Sequence, residues 1–126
     1  MLAFKKNNAF EKRKSFAAKV AAQYVNKVPI IVEISPKSSS ANETEIKLAR
    51  NKYIVGKESL ISELLHHIRG NIQPISSVTA VFIFIMTPSN TQILCTISST
   101  IDEIYNKYKH DDDILYLVVA LENTFG

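Results

Sequence analysis

Ile114-Leu115-Tyr116-Leu117-Val118-Val119-Ala120-Leu121 is the stretch whose reading decides the fold. The run is strand-sized and far too short to cross a membrane as a helix. No polar residue interrupts it, so both faces of the strand are buried, as they are in the central strands of a sheet. His110-Asp111-Asp112-Asp113 makes the turn into it. These aspartates lack the alternating spacing and the glycine of a calcium loop, so they read as a solvated turn.

Upstream, Ser98 or Ser99 caps a helix that gathers Ile101, Ile104, Tyr105 and Tyr108, with Lys107 and Lys109 suited to its negative end. Ala80-Val81-Phe82-Ile83-Phe84-Ile85 is another apolar strand, followed by a polar loop around Pro88-Ser89-Asn90. Leu60, Ile61, Leu64, Leu65, Ile68 and Ile72 form a broad buried helix face, with Ser59 as N-cap and Pro74 beyond the helix end. Lys52-Tyr53-Ile54-Val55 is a short strand that leads through Gly56 into that helix. Residues 35–51, rich in Ser, Asn, Glu and Lys, read as a mobile loop with room for one turn of helix.

Val28-Pro29-Ile30-Ile31-Val32-Glu33-Ile34 is the first strand, with Pro29 near its start, where a missing N–H costs least. Before it, Phe10, Ala17, Val20, Ala21 and Tyr24 share one helical face. Phe16 sits roughly 90° from the centre of that stripe, where it either caps the core or lines a groove at its edge. The order is helix, strand, strand, helix, strand, helix, strand, with no internal repeat and no linker. Residues 1–27 form a helical segment and 28–126 the core of a single domain. From strand to strand this is the order of an α+β ubiquitin-like β-grasp; periodicity alone leaves it one of several α+β options.

With 46% hydrophobic and 21% charged residues, the 126-residue chain can bury a real core. A single cysteine, Cys95, makes no internal disulfide and favours a reducing compartment. The first residues lack the apolar core of a signal peptide, and the cytosol is the expected location. The net charge of +3 is unevenly spread. Residues 1–27 hold seven basic residues against one acidic, a balance of +6, and the remainder holds eight against eleven, a balance of −3. The basic segment is either a solvated helix face or a surface for anionic lipid or an acidic partner. No aromatic interleaving points to nucleic acid.

The last residues, Glu122-Asn123-Thr124-Phe125-Gly126, follow the strand with no basic tail. A terminal glycine carboxylate has no side chain beside it, and its backbone freedom lets it thread a narrow cleft. That suits adenylation, thioester transfer and attachment to an amine, although a chain can also simply stop on glycine. Catalysis by the chain itself has no support. Cys95 has no triad around it, and His66 and His67 point apart on a helix and cannot chelate one metal together. No metal and no cofactor are implied.

Phe10-Glu11-Lys12-Arg13, Val28-Pro29-Ile30-Ile31-Val32-Glu33, Lys52-Tyr53-Ile54-Val55, Ile68-Arg69, Ala80-Val81-Phe82-Ile83-Phe84, Ile104-Tyr105, Leu115-Tyr116 and Glu122-Asn123-Thr124-Phe125-Gly126 run in one order over nearly the whole chain. In that order they resemble the autophagy ubiquitin-like modifiers, the family of GABARAP and microtubule-associated light chain three. The resemblance implies a β-grasp preceded by two short helices, and a life as a substrate rather than an enzyme. It implies an activating and a conjugating enzyme, attachment of Gly126 to phosphatidylethanolamine, and residence in the cytoplasm or, once lipidated, on the autophagosome membrane. Phe125 and Thr124 would be read in the tail. A cysteine protease would expose the glycine or remove the lipid, and a glycine already terminal needs no trimming or stands for the trimmed form.

The resemblance also implies cargo receptors bound through aromatic-x-x-aliphatic motifs, by strand addition at the edge Lys52-Tyr53-Ile54-Val55. The aromatic pocket would map to Val20, Pro29, Ile31, Lys52, Ile54 and Ile114, with Phe16 where the family has an acid. The aliphatic pocket would map to Tyr53, Val55, Leu64, His67 and Ile68, with Arg69 as a polar anchor. Asp113-Ile114 replaces the family's Gly-Phe and Gly56 its proline. A plain interaction module, or a modifier joined to a protein lysine, is the alternative that the altered pockets keep in view.

Overall fold

The computed structural model describes residues 2–35, 47–73, 75 and 79–123. Its elements are α1 (Ala3–Asn7), α2 (Phe10–Gln23), β1 (Lys27–Ile34), β2 (Lys47–Leu48), β3 (Lys52–Gly56), α3 (Ile61–Gly70), β4 (Ile72–Gln73), β5 (Thr79–Met86), β6 (Gln92–Leu94), α4 (Ile101–Tyr108) and β7 (Leu115–Asn123). Most of the expected mobile loop, and Pro74, lie outside the described residues.

Five strands form one sheet in the order β3-β1-β7-β5-β6. The apolar run therefore stands in the middle, parallel to β1, with Ile30 opposite Leu115, and antiparallel to β5. Its two faces serve two cores. Leu115, Leu117 and Val119 join Val28, Ile30, Val32 and the buried faces of α3 and α4. Ile114, Tyr116 and Val118 join Ile31 and Ala17 with Leu2 and Phe4 from the amino end. Alternate residues of one strand thus reach opposite layers, which is why no polar residue breaks the run. This is the ubiquitin-like β-grasp, with two helices added before β1.

The local boundaries depart from expectation in three ways. Three strands of two or three residues, β2, β4 and β6, are too short to show a period in sequence; Ile72 lies in β4 rather than on α3. On α2 only Ala17 and Val20 are buried, while Phe10 is 45% exposed and Ala21 and Tyr24 also face outward. Leu60, likewise, is exposed at the start of α3.

The helix caps differ too. Neither Ser59 nor Ser98 nor Ser99 caps by its side chain. Thr100 caps α4, accepting the Glu103 N–H at 3.2 Å. Leu60 precedes α3 without a capping side chain. Its free donors find the other connection instead: Ile61 N–H reaches Ser99 O at 2.9 Å and Ser62 N–H reaches Ile97 O at 2.9 Å. In return Ile101 N–H bonds Ser59 O at 2.8 Å and Asp102 N–H bonds Lys57 O at 3.0 Å. The two helix starts satisfy each other through backbone, which frees the serines from that task.

The expected solvated turn is half wrong. Asp112 is 1% exposed. Its carboxylate pairs with Arg13 Nη1 at 2.6 Å, accepts the Tyr116 hydroxyl at 2.5 Å and the Ile114 N–H at 3.0 Å. Burial, with Asp112 next, pushes the Tyr116 phenol up, so it stays a donor. Burial works against Arg13, but its bonds to Tyr116 and Asp112 prevail and hold its guanidinium above the ordinary value. Lys14 pairs with Asp113 outside this network. Asp113 has φ 64°, the left-handed region that glycine prefers and aspartate tolerates. Arg13 Nε also donates to Asn8 O at 3.0 Å, tying the α1–α2 turn to the same point.

Candidate functional site

β3 closes the sheet on one side, so its outward row of N–H and C=O groups has no neighbouring strand among the described residues. Such an edge is a template for an added strand. Strand alternation sends Lys52 and Ile54 toward the α1–α2 layer, and Tyr53 and Val55 toward α3. The ladder places Lys52 opposite Ile31 and Ile54 opposite Pro29.

On the α1–α2 face the structure gathers the residues expected of the aromatic pocket. Val20, Pro29, Ile31 and Ile114 are buried, Ile54 is 40% exposed, and Lys52 stands at the rim. Phe16 packs half-buried against the cluster that holds Ile31 and Ile114. The sequence did not point to Phe4. It is buried in the same cluster, and Lys52 Nζ lies 5.8 Å from its ring centre and 5.3 Å from that of Phe16. A five-residue helix is too short to display a period, so the Leu2–Phe4 pair carried no readable signal.

On the other face a groove of about 320 Å³ opens between β3 and α3. Tyr53, Val55, Leu64 and His67 line it. Ile68 is fully buried and serves the core. Arg69 turns the other way and donates to Thr79 O at 2.7 Å, so it anchors β5. Arg50, Glu63 and Asn71 supply the polar rim instead. Asn71 Nδ2 donates to the Tyr53 hydroxyl at 3.0 Å, and burial pushes that phenol up. Arg50 and Lys52 at the start of the edge make that end basic, whereas Glu63 is acidic.

Thr124, Phe125 and Gly126 lie outside the described residues; β7 carries the chain to Asn123, opposite Thr79. Cys95 is buried and burial raises its thiol to about 11, which makes it a poor nucleophile. His66 and His67 are both exposed. No cluster suited to a metal ion occurs among the described residues. No described helix is long and apolar enough to cross a membrane.

A family model described as "Autophagy protein Atg8 ubiquitin like" matches residues 12–126. Autophagy-related protein 8e of Arabidopsis thaliana is 32% identical over 123 residues, covering 98% of this chain and 92% of that protein. Autophagy-related protein 8 of Dictyostelium discoideum is 29% identical over 123 residues, covering 98% and 93%. The crystal structure of Trypanosoma brucei ATG8 superposes with a TM-score of 0.79 at 29% identity, covering 100% of this chain and 99% of that one.

Proposed function

The chain belongs to the Atg8 family of autophagy ubiquitin-like proteins, and from that premise we propose that it is a modifier joined through Gly126 to phosphatidylethanolamine. Activating and conjugating enzymes of the autophagy pathway carry its tail, reading Thr124 and Phe125. A cysteine protease of that pathway trims the tail or removes the lipid. The lipid then holds the protein on the autophagosome membrane, and the unattached form is cytoplasmic. There its β3 edge recruits cargo receptors that present aromatic-x-x-aliphatic motifs.

One observation carries this reading: a sheet edge with no neighbouring strand among the described residues lies between an apolar site over Ile31 and Ile114 and a groove over Tyr53 and Leu64. Main-chain bonds at such an edge are blind to sequence, and the flanking pockets decide which peptide stays. Burying one aromatic and one aliphatic side chain gives about 3–6 kcal/mol of gross transfer energy, so micromolar affinity is expected once ordering is paid. Arg50 and Lys52 favour acidic residues flanking the motif, chiefly through the association rate.

Two measurements test it. Incubation with the cognate enzymes, ATP and phosphatidylethanolamine liposomes should yield a thioester and then a lipid adduct. Gly126→Ala should abolish the adduct without altering the fold. A persistent adduct to protein lysine and none to lipid would favour the protein-modifier alternative; no thioester at all would sink conjugation. Titration of an acidic-flanked peptide should shift the amides of residues 52–55, with weaker binding by Ile54→Ala and Lys52→Glu. Shifts confined to other surfaces would remove the docking reading.

A further inference from the structure

α1 is fastened at its start and at its middle by side chains from elsewhere. At its start, the Glu33 carboxylate accepts the N–H groups of Ala3 at 3.0 Å and Phe4 at 2.9 Å. Farther along, Lys5 Nζ lies 2.6 Å from Nδ1 of His110, which is only 4% exposed. The other ring nitrogen, Nε2, lies 2.7 Å from the Met86 carbonyl oxygen. A carbonyl only accepts and an ammonium only donates, so this ring is neutral, with its proton on Nε2. A second proton would sit on Nδ1 and face the Lys5 ammonium, donor against donor and charge against charge.

We infer that α1 is a proton-operated latch: Lys5 and a neutral His110 hold it over Ile31 and Ile114, and protonation of His110 releases it. Phe4 is the apolar part of the latch: it belongs to the same buried cluster as those two residues, and its ring lies 6.3 Å from that of Tyr116, centre to centre. Release uncovers the floor of the aromatic pocket and frees Lys52 from the Phe4 ring. The consequence for peptide binding rests on the docking reading above; the latch itself does not.

The groups around His110 set the direction. Lys5 faces it from α1, and the Tyr116 ring from β7 stands 4.5 Å away centre to centre. The Met86 carbonyl comes from β5, Asp111 and Asp112 share its turn, and Arg13 of α2 reaches Asp112. Burial is the largest influence and lowers the imidazole. Lys5 adds to it, against the Met86 carbonyl, Asp112 and Asp111, and the net result lies below the ordinary 6.5. Burial lowers Lys5 as well. Once released, the ring loses the facing ammonium and the cover of α1, so it moves up toward its ordinary value. Between the two values the released state therefore binds more protons than the latched one. The latch is strongest above about pH 6.5 and weakens, at most about tenfold per pH unit, as the pH falls below that.

The test follows the amides of residues 3–7 and the His110 ring by NMR, in the full chain, from about pH 8 to about pH 5. The expected result is one shared transition. Lys5→Met should raise the His110 pKa, because it removes the facing ammonium, and His110→Gln should abolish the transition of residues 3–7 while still offering an N–H to Met86. Residues 3–7 that stay fixed while His110 titrates would overturn the latch. So would a His110 pKa untouched by Lys5→Met, a measurement that stands even where His110→Gln fails to fold. Titration with an aromatic-x-x-aliphatic peptide at both pH extremes separates the two ideas. Tighter binding at low pH, lost in His110→Gln, supports coupling of latch and pocket. Absence of binding at either pH removes the docking reading and leaves the amide transition to decide the latch.

Discussion

Asp112 receives bonds from Arg13 of α2, from the Tyr116 hydroxyl of β7 and from the backbone of Ile114. Because the carboxylate is buried, its worth lies in satisfying these donors together. Removing it strands a guanidinium, a phenol and an N–H away from water. Asp112→Ala should therefore lower unfolding free energy by about 3–5 kcal/mol, read from urea titration. Asp111→Ala, one residue away and exposed, should change it by less than about 0.5 kcal/mol. Equal effects would refute this division of the turn. In sequence the three aspartates look alike; what separates them is that the turn aims one at Arg13, and that direction is a tertiary fact.

The two connections before α3 and α4 illustrate how elements complete one another. Residues 57–60 and 97–100 run antiparallel, joined at Leu60 and Thr100, and each supplies carbonyls to the other's helix start. Serine beside an apolar run is a sound local sign of a cap, yet it loses here to backbone acceptors brought from about forty residues away. Thr100 keeps its cap because its hydroxyl both accepts the Glu103 N–H and donates to the Glu103 carboxylate at 3.0 Å. Thr100→Ala should accordingly cost about 1 kcal/mol, whereas Ser59→Ala and Ser98→Ala should each cost less than about 0.5 kcal/mol. Thermal unfolding of the three variants checks this. A larger loss at Ser59 than at Thr100 would mean that the hydroxyl, not the backbone exchange, starts α3.

Across the whole molecule, much of the amino-terminal charge is engaged by partners within the chain. Of the seven basic residues in positions 1–27, Lys5 meets His110, Arg13 meets Asp112 and Lys14 meets Asp113. Lys27 lies over the Tyr24 ring. Lys6, Lys12 and Lys19 are exposed and face solvent. The basic segment is therefore partly an adhesive between helices and sheet, and its external field is smaller than a balance of +6 implies. Any attraction to anionic vesicles should be weak and should fade as salt shortens the screening length to about 8 Å and below. Lys6→Glu with Lys12→Glu should reduce co-sedimentation several-fold, while Lys14→Ala should leave it nearly unchanged. Binding that ignores salt, or that depends on Lys14 more than on Lys6 and Lys12, would overturn this assignment.

The order of elements along the chain and the burial of 114–121 on both faces were legible because they rest on local signals, whereas the edge position of Lys52-Tyr53-Ile54-Val55 came from the family resemblance. An unbroken apolar run such as 114–121 has only one home, the middle of a sheet covered on both faces, and a proline near a strand start marks where pairing begins. The grouping of Tyr53, Val55, Leu64 and His67 was likewise implied by the resemblance, and the structure sets these four around one groove. The tertiary structure decided what no period encodes. It buried Asp112, turned Arg69 to Thr79 rather than to the groove, brought Phe4 under Lys52 and set Lys5 against His110. Each of these depends on two segments far apart in the chain meeting at hydrogen-bond or packing distance. A single sequence records the residues that can make such contacts; the fold selects the partners, because only there do desolvation and geometry make one pairing better than water.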